Sequence, residues 1–277
     1  MRSKKPFDVF LSVITYGAAI LAISVLTFLV GYVVFKGAPN LKLSLFSWHY
    51  TSENVSVVPA IITTVEMTLL SLVIAVPLGV LTAIYLVEYA SRKNKLVGII
   101  RITAETLSGI PSIVYGLFGM LFFVTALGWG FSLIAGAFTL SIMILPLIMR
   151  TTEEALKSVP DSFREGSFGL GAGRLRTVFR IVLPSAVPGI LSGVILAIGR
   201  IVGETAALIY TAGTVAQSPS SLTDSARTLS VHMYVLSSEG LHTNEAYATA
   251  LILLVMVIGI NALAGYSAKK LSKGTKI

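Results

Sequence analysis

The chain has 277 residues, of which 55% are hydrophobic and only 12% charged, with a mean hydropathy of +0.85 and a net charge of +8. Soluble chains are about one-quarter charged, so this composition excludes an ordinary soluble domain and points to an all-α polytopic membrane protein. The sequence contains no Cys, which excludes disulfides and thiolate metal sites, and only three His (His49, His232, His242).

Six apolar segments are predicted to span the membrane, at residues 10–35, 59–88, 96–125, 131–150, 186–212 and 246–267, each near the ~20 residues that a helical span needs. The first follows the basic stretch MRSKKP, which resembles the start of a signal peptide. Its apolar run is too long for that and no convincing cleavage site follows, so an uncleaved span is expected. Sorting the 21 Lys and Arg by connection fixes the expected orientation. The N-terminus holds Arg2, Lys4 and Lys5, and the 88–101 connection holds Arg92, Lys93, Lys95 and Arg101. The 150–185 connection holds Arg150, Lys157, Arg164, Arg174, Arg176 and Arg180, and the C-terminus Lys269, Lys270, Lys273 and Lys276. Only Lys36, Lys42 and Arg227 fall on the opposite side, and Arg200 lies within a span. Both termini are therefore expected in the cytoplasm, and the positive charge reflects orientation rather than a nucleic-acid partner.

The expected organisation is a first span with its outer connection (1–57), a core of five spans (58–268) that includes a cytoplasmic loop at 151–185, and a short cytoplasmic tail (269–277). Two long outer connections, 36–58 and 213–245, are candidate docking surfaces for an extracytoplasmic partner, the second partly helical near Tyr234. In the third span, SGIPSIVYGLFGM (108–120), Pro111 is expected to kink the helix while Gly109, Gly116 and Gly119 permit close packing. Three further charges lie at membrane depth: Glu66, Arg101 and Glu105. Arg101 and Glu105 are spaced i,i+4 and predict an ion pair near the inner mouth. Glu66 fits either the pore entrance or a contact with a partner subunit.

The loop EEALKSVPDSFREGSFGLGAGRLRTVFRIVLPSAVPG is the most informative stretch. Pro160–Asp161 opens a helix that Asp161 can cap, the glycines at 169, 171 and 173 break it, and RLRTVFRIVLP predicts a second basic amphipathic helix halted by Pro184. Glu165, Gly166, Ser167, Gly171, Ile181, Leu183 and Pro184 stand at the spacing of the EAA signature of ABC importer permeases, with Gly-Ser in place of Ala-Ala. The resemblance implies a coupling helix that docks on a separate nucleotide-binding subunit. The sequence has no G-x-x-x-x-G-K-[ST], so no phosphate-binding loop for ATP is present in this chain.

Within the fifth span, LAIGRIVGETAAL (196–208) carries Arg200 and Glu204. Arg200 lies ~20 Å along the helix from its cytoplasmic entry, and an unpaired Arg at that depth costs at least ~3 kcal/mol. A helical projection places Gly189, Ser192, Gly193, Leu196, Gly199, Arg200, Gly203, Glu204, Ala207, Tyr210 and Thr211 on one face. Two readings stand: a self-neutralising structural pair, or an anion relay in which Arg200 contacts the substrate and Glu204 holds it between passages. Arg before Glu is the weaker order for a helical pair, and a guanidinium fork matches a phosphate bidentately, which favours the relay.

SGIPSIVYGLFGM and GRIVGETAALIYTAG, with the EAA loop, resemble the phosphate ABC permeases, of the PstA rather than the PstC type. That resemblance implies a type I importer fold of six transmembrane helices in a bacterial or archaeal plasma membrane. It also implies a heterodimer with a PstC-type permease, two PstB-type ATPase subunits, a PstS-type binding protein, and inorganic phosphate carried by alternating access. ATP would be bound by the partner and no cofactor by this chain. A permease for sulfate or molybdate, or a membrane component of a phosphate-sensing complex, is the alternative. An integral-membrane enzyme is disfavoured, because no H-E-x-x-H and no His/Asp cluster is present.

Overall fold

A computed structural model describes residues 6–91 and 94–274. Arg2, Lys4, Lys5, Arg92, Lys93 and Lys276, and the side chains of Lys269 and Lys273, lie outside the described residues. The chain is built from helices: α1 (Pro6–Gly37), α2 (Val58–Ile84), α3 (Lys95–Ser108), α4 (Ser112–Gly119), α5 (Leu133–Lys157), α6 (Asp161–Gly169), α7 (Arg174–Thr177), α8 (Leu183–Val202), α9 (Ala206–Ile209), α10 (Leu229–Glu239) and α11 (Thr243–Gly274). π-helical turns extend α2 over Tyr85–Tyr89 and α4 over Met120–Ala126, and join α7 to α8 over Val178–Val182. The helical stretch expected near Tyr234 is α10.

Among the described residues, five helices are long and apolar enough to cross a membrane: Phe10–Asn40, Val58–Tyr89, Leu133–Lys157, Arg174–Val202 and Thr243–Tyr266. The predicted third span is not one helix with a kink. α3 and the α4 segment meet at 103°, and count as a sixth span only if taken together. Pro111 cannot continue α3 and biases Ile110 away from the helical region. It sits instead as the extended cap of α4 (φ −59°, ψ 142°). The buried Tyr115 donates its hydroxyl to the Leu107 carbonyl at 2.7 Å and so ties the two limbs across the bend.

The fifth predicted span also differs at both ends. Pro184 does not halt the preceding helix, which runs unbroken from Arg174 to Val202. The wider π turn just upstream takes up the missing N–H and the ring. At the other end the helix stops at Val202 rather than at 212.

The core is set by α5, sandwiched between α2 and α8. Met67, Ala75, Leu140, Met143, Ile144, Ile148, Ala197 and Ile201 form one buried cluster. Small residues bring the backbones together, as expected where lipid provides no hydrophobic drive between helices. A Cβ on Gly193 would lie 2.0 Å from the Thr151 hydroxyl, and one on Gly79 would lie 2.8 Å from Ile148. Ser141 of α5 donates to the Ser71 carbonyl of α2 at 3.1 Å across the seam, sharing its proton with the Ala137 carbonyl of its own helix at 2.6 Å. α1 lies outside this core and touches α11, where Gly37 passes Tyr247 and Leu251.

At the α10 end, His232 is fully buried beside Tyr50, whose ring lies under the Arg227 guanidinium at 4.9 Å. Burial first, and the Arg227 charge second, push the imidazole down from 6.5 to about 3. Between those values the unfolded chain binds a proton that the folded chain refuses. Stability therefore falls as the pH drops below 6.5, by up to ~1.4 kcal/mol per unit from this group. The thermal midpoint of the purified protein is expected to fall between pH 6.5 and 5, with a shallower slope in His232→Phe. Parallel slopes for the two proteins would refute the assignment.

Candidate functional site

A cavity of about 320 Å³ opens where α3, α5 and α8 converge, and it gathers charges that are far apart in sequence. α3 supplies Arg101 and Glu105, α5 supplies Arg150, Glu153, Glu154 and Lys157, and α8 supplies Arg200. Three of the predicted residues, Arg101, Glu105 and Arg200, are thus brought together. Glu66 and Glu204 do not line this cavity.

The predicted Arg101–Glu105 pair is not formed. Arg101 reaches across to α5, where its Nη2 lies 2.7 Å from Glu153 Oε1, and Lys157 Nζ meets the same oxygen at 2.6 Å. The packing of α3 on α5 offers a carboxylate in better reach than the i+4 position, with Arg in the weaker order for a helical pair. Arg150 pairs with Glu154 at 3.2 Å on the exposed side. Four cations thus meet three carboxylates, and two of the carboxylates are engaged.

Arg200 is half-buried, and among the described residues no ion pair joins it to Glu204 or to any other acid. The reason is the break after Val202. Glu204 lies outside the helix, so the projected i,i+4 geometry does not exist. Its Oε1 accepts the Ala207 N–H at 3.1 Å at the start of α9, and its carbonyl accepts the Ser230 hydroxyl at 2.6 Å. Arg200 instead occupies the last turn of α8. There the negative end of the helix dipole is worth ~0.3–1 kcal/mol to a cation and up to ~2 when partly buried. Glu66 stands apart on α2, with Oε2 buried and without a partner.

The signature residues of the loop form a second surface. α6 carries Glu165, Gly166 and Ser167, and Gly171 turns the chain at φ +83°, a conformation that glycine adopts without strain. Ile181 lies on the π turn, and Leu183 and Pro184 open α8. Ser167 and Thr177 hydroxyls meet at 2.8 Å, joining the two limbs. Phe163, Gly166, Ser167, Leu170, Arg176 and Ile181 line an open concavity, with Leu170 91% exposed. Pro160, not Asp161, holds the cap position; Asp161 sits in the first turn and accepts from Arg164 at 3.2 Å.

Sequence reasoning counted Arg150 and Lys157 as loop charges and passed over Glu153 and Glu154, because the fourth span was expected to end at 150. α5 in fact continues to Lys157. The signal was present in RTTEEALK, whose charges recur at helical spacing.

The matched family model and the relatives agree with this architecture. The model "Binding-protein-dependent transport system inner membrane component" matches residues 75–276. A probable ABC transporter permease protein, YqgI, of Bacillus subtilis is 35% identical over 270 residues, covering 89% of this chain and 90% of that protein. The phosphate transport system permease protein PstA of Yersinia pestis is 35% identical over 240 residues, covering 83% and 79%. Among solved structures, a bacterial alginate ABC transporter crystallised with its periplasmic protein superposes with a TM-score of 0.66 at 16% identity, covering 98% of this chain and 99% of that one. The chain belongs to the family of inner membrane components of binding-protein-dependent transport systems, and its fold is that of a type I ABC importer permease. Within the family it is a permease of the PstA type. Membership implies an ATPase that drives the cycle and a binding protein that delivers the substrate.

Glu153 is the shared acceptor of two cations. Glu153→Gln is expected to lower stability by ~1–2 kcal/mol, discounted because both partners are partly exposed. Arg101→Gln added to it should cost less than it does alone, since the two act as one network. Additive losses in thermal midpoint would show that the pair is not coupled.

Proposed function

We propose that this chain is the permease subunit through which an ATP-driven importer moves inorganic phosphate into the cytoplasm. The observation that carries the reading is the cavity lined by Arg200, which has no acidic partner among the described residues, while the three other cations of the lining are each paired with Glu153 or Glu154. A guanidinium stays charged when desolvated and offers paired N–H donors to two oxygens of a phosphate. One such unpaired fork binds strongly enough to admit the anion and weakly enough to release it. The phosphate-transport names of the PstA relatives support the same substrate.

In this reading the α6 end faces the cytoplasm and the α10 end the outside, in keeping with the Lys and Arg bias. The partners are a PstC-type permease, two PstB-type ATPases docked on the Glu165–Pro184 loop, and a PstS-type binding protein at the outer connections. The membrane is the bacterial or archaeal plasma membrane, and access alternates between its sides. Glu204 fixes the α8–α9 break and thereby the place of Arg200 at a helix end, rather than holding its guanidinium.

Arg200→Gln is expected to lower phosphate uptake by about 100-fold, the loss expected for a charged bidentate contact made during passage. The complex should still assemble and hydrolyse ATP. Near-normal uptake by this variant would overturn the role of Arg200. Wild-type uptake that is competed equally by sulfate would overturn the phosphate reading.

A further inference from the structure

The last turn of α2 is held from two sides by the loop that carries the EAA signature. Arg164, next to Glu165 on α6, reaches Glu88 in the π turn Tyr85–Tyr89. Its Nη2 lies 2.7 Å and its Nε 3.1 Å from Glu88 Oε1. Both side chains are largely buried, at 14% and 8% exposure. The same guanidinium donates to the carbonyls of Leu156 (2.9 Å) and Val159 (2.8 Å), at and just beyond the end of α5. From the other limb of the loop, Arg174 of α7 lies 5.6 Å from the Tyr89 ring centre. Beneath these contacts, Ile84 and Leu86 of α2 pack in one apolar cluster with Leu156, Val178 and Val182.

One side chain therefore joins three elements: the docking helix α6, the end of α5, and the end of α2. A buried ion pair is seldom worth more to stability than an apolar pair of similar size, so holding the loop does not require it. It does fix orientation, because a bidentate fork permits little rotation. A π turn at the receiving position is a departure from regular helix of the kind that recurs at functional sites. The exposed face of the loop, with Phe163 and Leu170, remains free for another protein. Glu153 lies one turn before Leu156 on α5, so a displacement delivered at Arg164 reaches the wall of the charged cavity through a single helix.

We propose that the Tyr85–Tyr89 turn is the receiver through which the loop moves the membrane helices, with Arg164 and Glu88 as its positioning pair. This rests on membership of an ATP-driven importer family and not on the substrate being phosphate. The test uses the full complex in proteoliposomes, with two readouts: anion taken up per ATP hydrolysed, and the stimulation of hydrolysis by the loaded binding protein. Arg164→Gln and Glu88→Gln are each expected to retain the ATPase subunits and basal hydrolysis, with uptake per ATP lowered by about tenfold and stimulation lost. Because the chain has no Cys, Glu88→Cys with Arg164→Cys can be tied by a short bifunctional thiol reagent, and the tie should restore both readouts.

Unchanged uptake per ATP in the single variants would overturn the proposal. So would a tied protein that hydrolyses ATP without transport, because the pair would then have to separate during the cycle. Should the single variants fail to assemble, the tied and untied double-cysteine proteins decide the matter by the same ratio. A wild-type complex that takes up no phosphate would count against the substrate reading, while binding-protein stimulation would still report the coupling.

Discussion

α5 begins against the 211–224 segment, where Ser132 accepts the Ala135 N–H, and ends beside the α6 loop, and it is buried along most of its length. In lipid this burial depends on fit rather than on hydrophobic drive, and fit depends on small residues. Gly79 of α2 and Gly189 and Gly193 of α8 each pass α5 at distances that a side chain would block. The seam so formed is stiff, because packed interiors have few alternative arrangements. One helix thus carries the apolar core at Leu140–Ile148, the charged wall at Arg150–Lys157 and, within that last stretch, the Leu156 carbonyl that Arg164 grips.

The electrostatics follow from the same placement. Of the charges at the end of α5, Arg150, Glu154 and Lys157 are exposed and Glu153 is buried, and the α3 limb, set off from α4 by the bend at Pro111, brings Arg101 against Glu153. Arg101 and Lys157 share the Glu153 carboxylate and Arg150 pairs with Glu154, which leaves Arg200 and Glu105 as the charged groups of the wall in no ion pair among the described residues.

Much of this was legible in the sequence. Long apolar runs give α1, α2, α5 and α11 directly, because a lipid-spanning helix has no other way to satisfy its backbone. The EAA spacing located the loop, and its glycines located the turn at Gly171. Less legible were the events that depend on three-dimensional contact. The 103° bend exists because Tyr115 finds the Leu107 carbonyl and Gly116 packs on Ala207, contacts between segments that periodicity treats as one helix. The passage of the chain through Pro184 depends on a π turn, whose signature does not show in a 100° projection. Glu88 looked like the end of a span until Arg164, 76 residues later, was placed beside it.

The break after Val202 shows how a helical projection can mislead about the partner of a charge. Had α8 continued to Thr211, Arg200 would stand in mid-helix, with the peptide dipoles cancelling around it and only Glu204 to offset its burial. Ending the helix two residues later, at Val202, changes the compensation. Arg200 then stands in the last turn, at the negative end of the helix dipole, and the Glu204 carboxylate accepts the Ala207 N–H at the start of α9. Irregular backbone at membrane depth is tolerated where it is enclosed by protein or lines a cavity. Here Gly116 and Gly119 of α4 close over the break, lying against Ala207 and Thr211. A cation stabilised by fixed dipoles keeps all its donors for a ligand, whereas one held by a carboxylate must first be released. The break in α8 therefore leaves Arg200 without the acidic partner that a continuous helix would have given it.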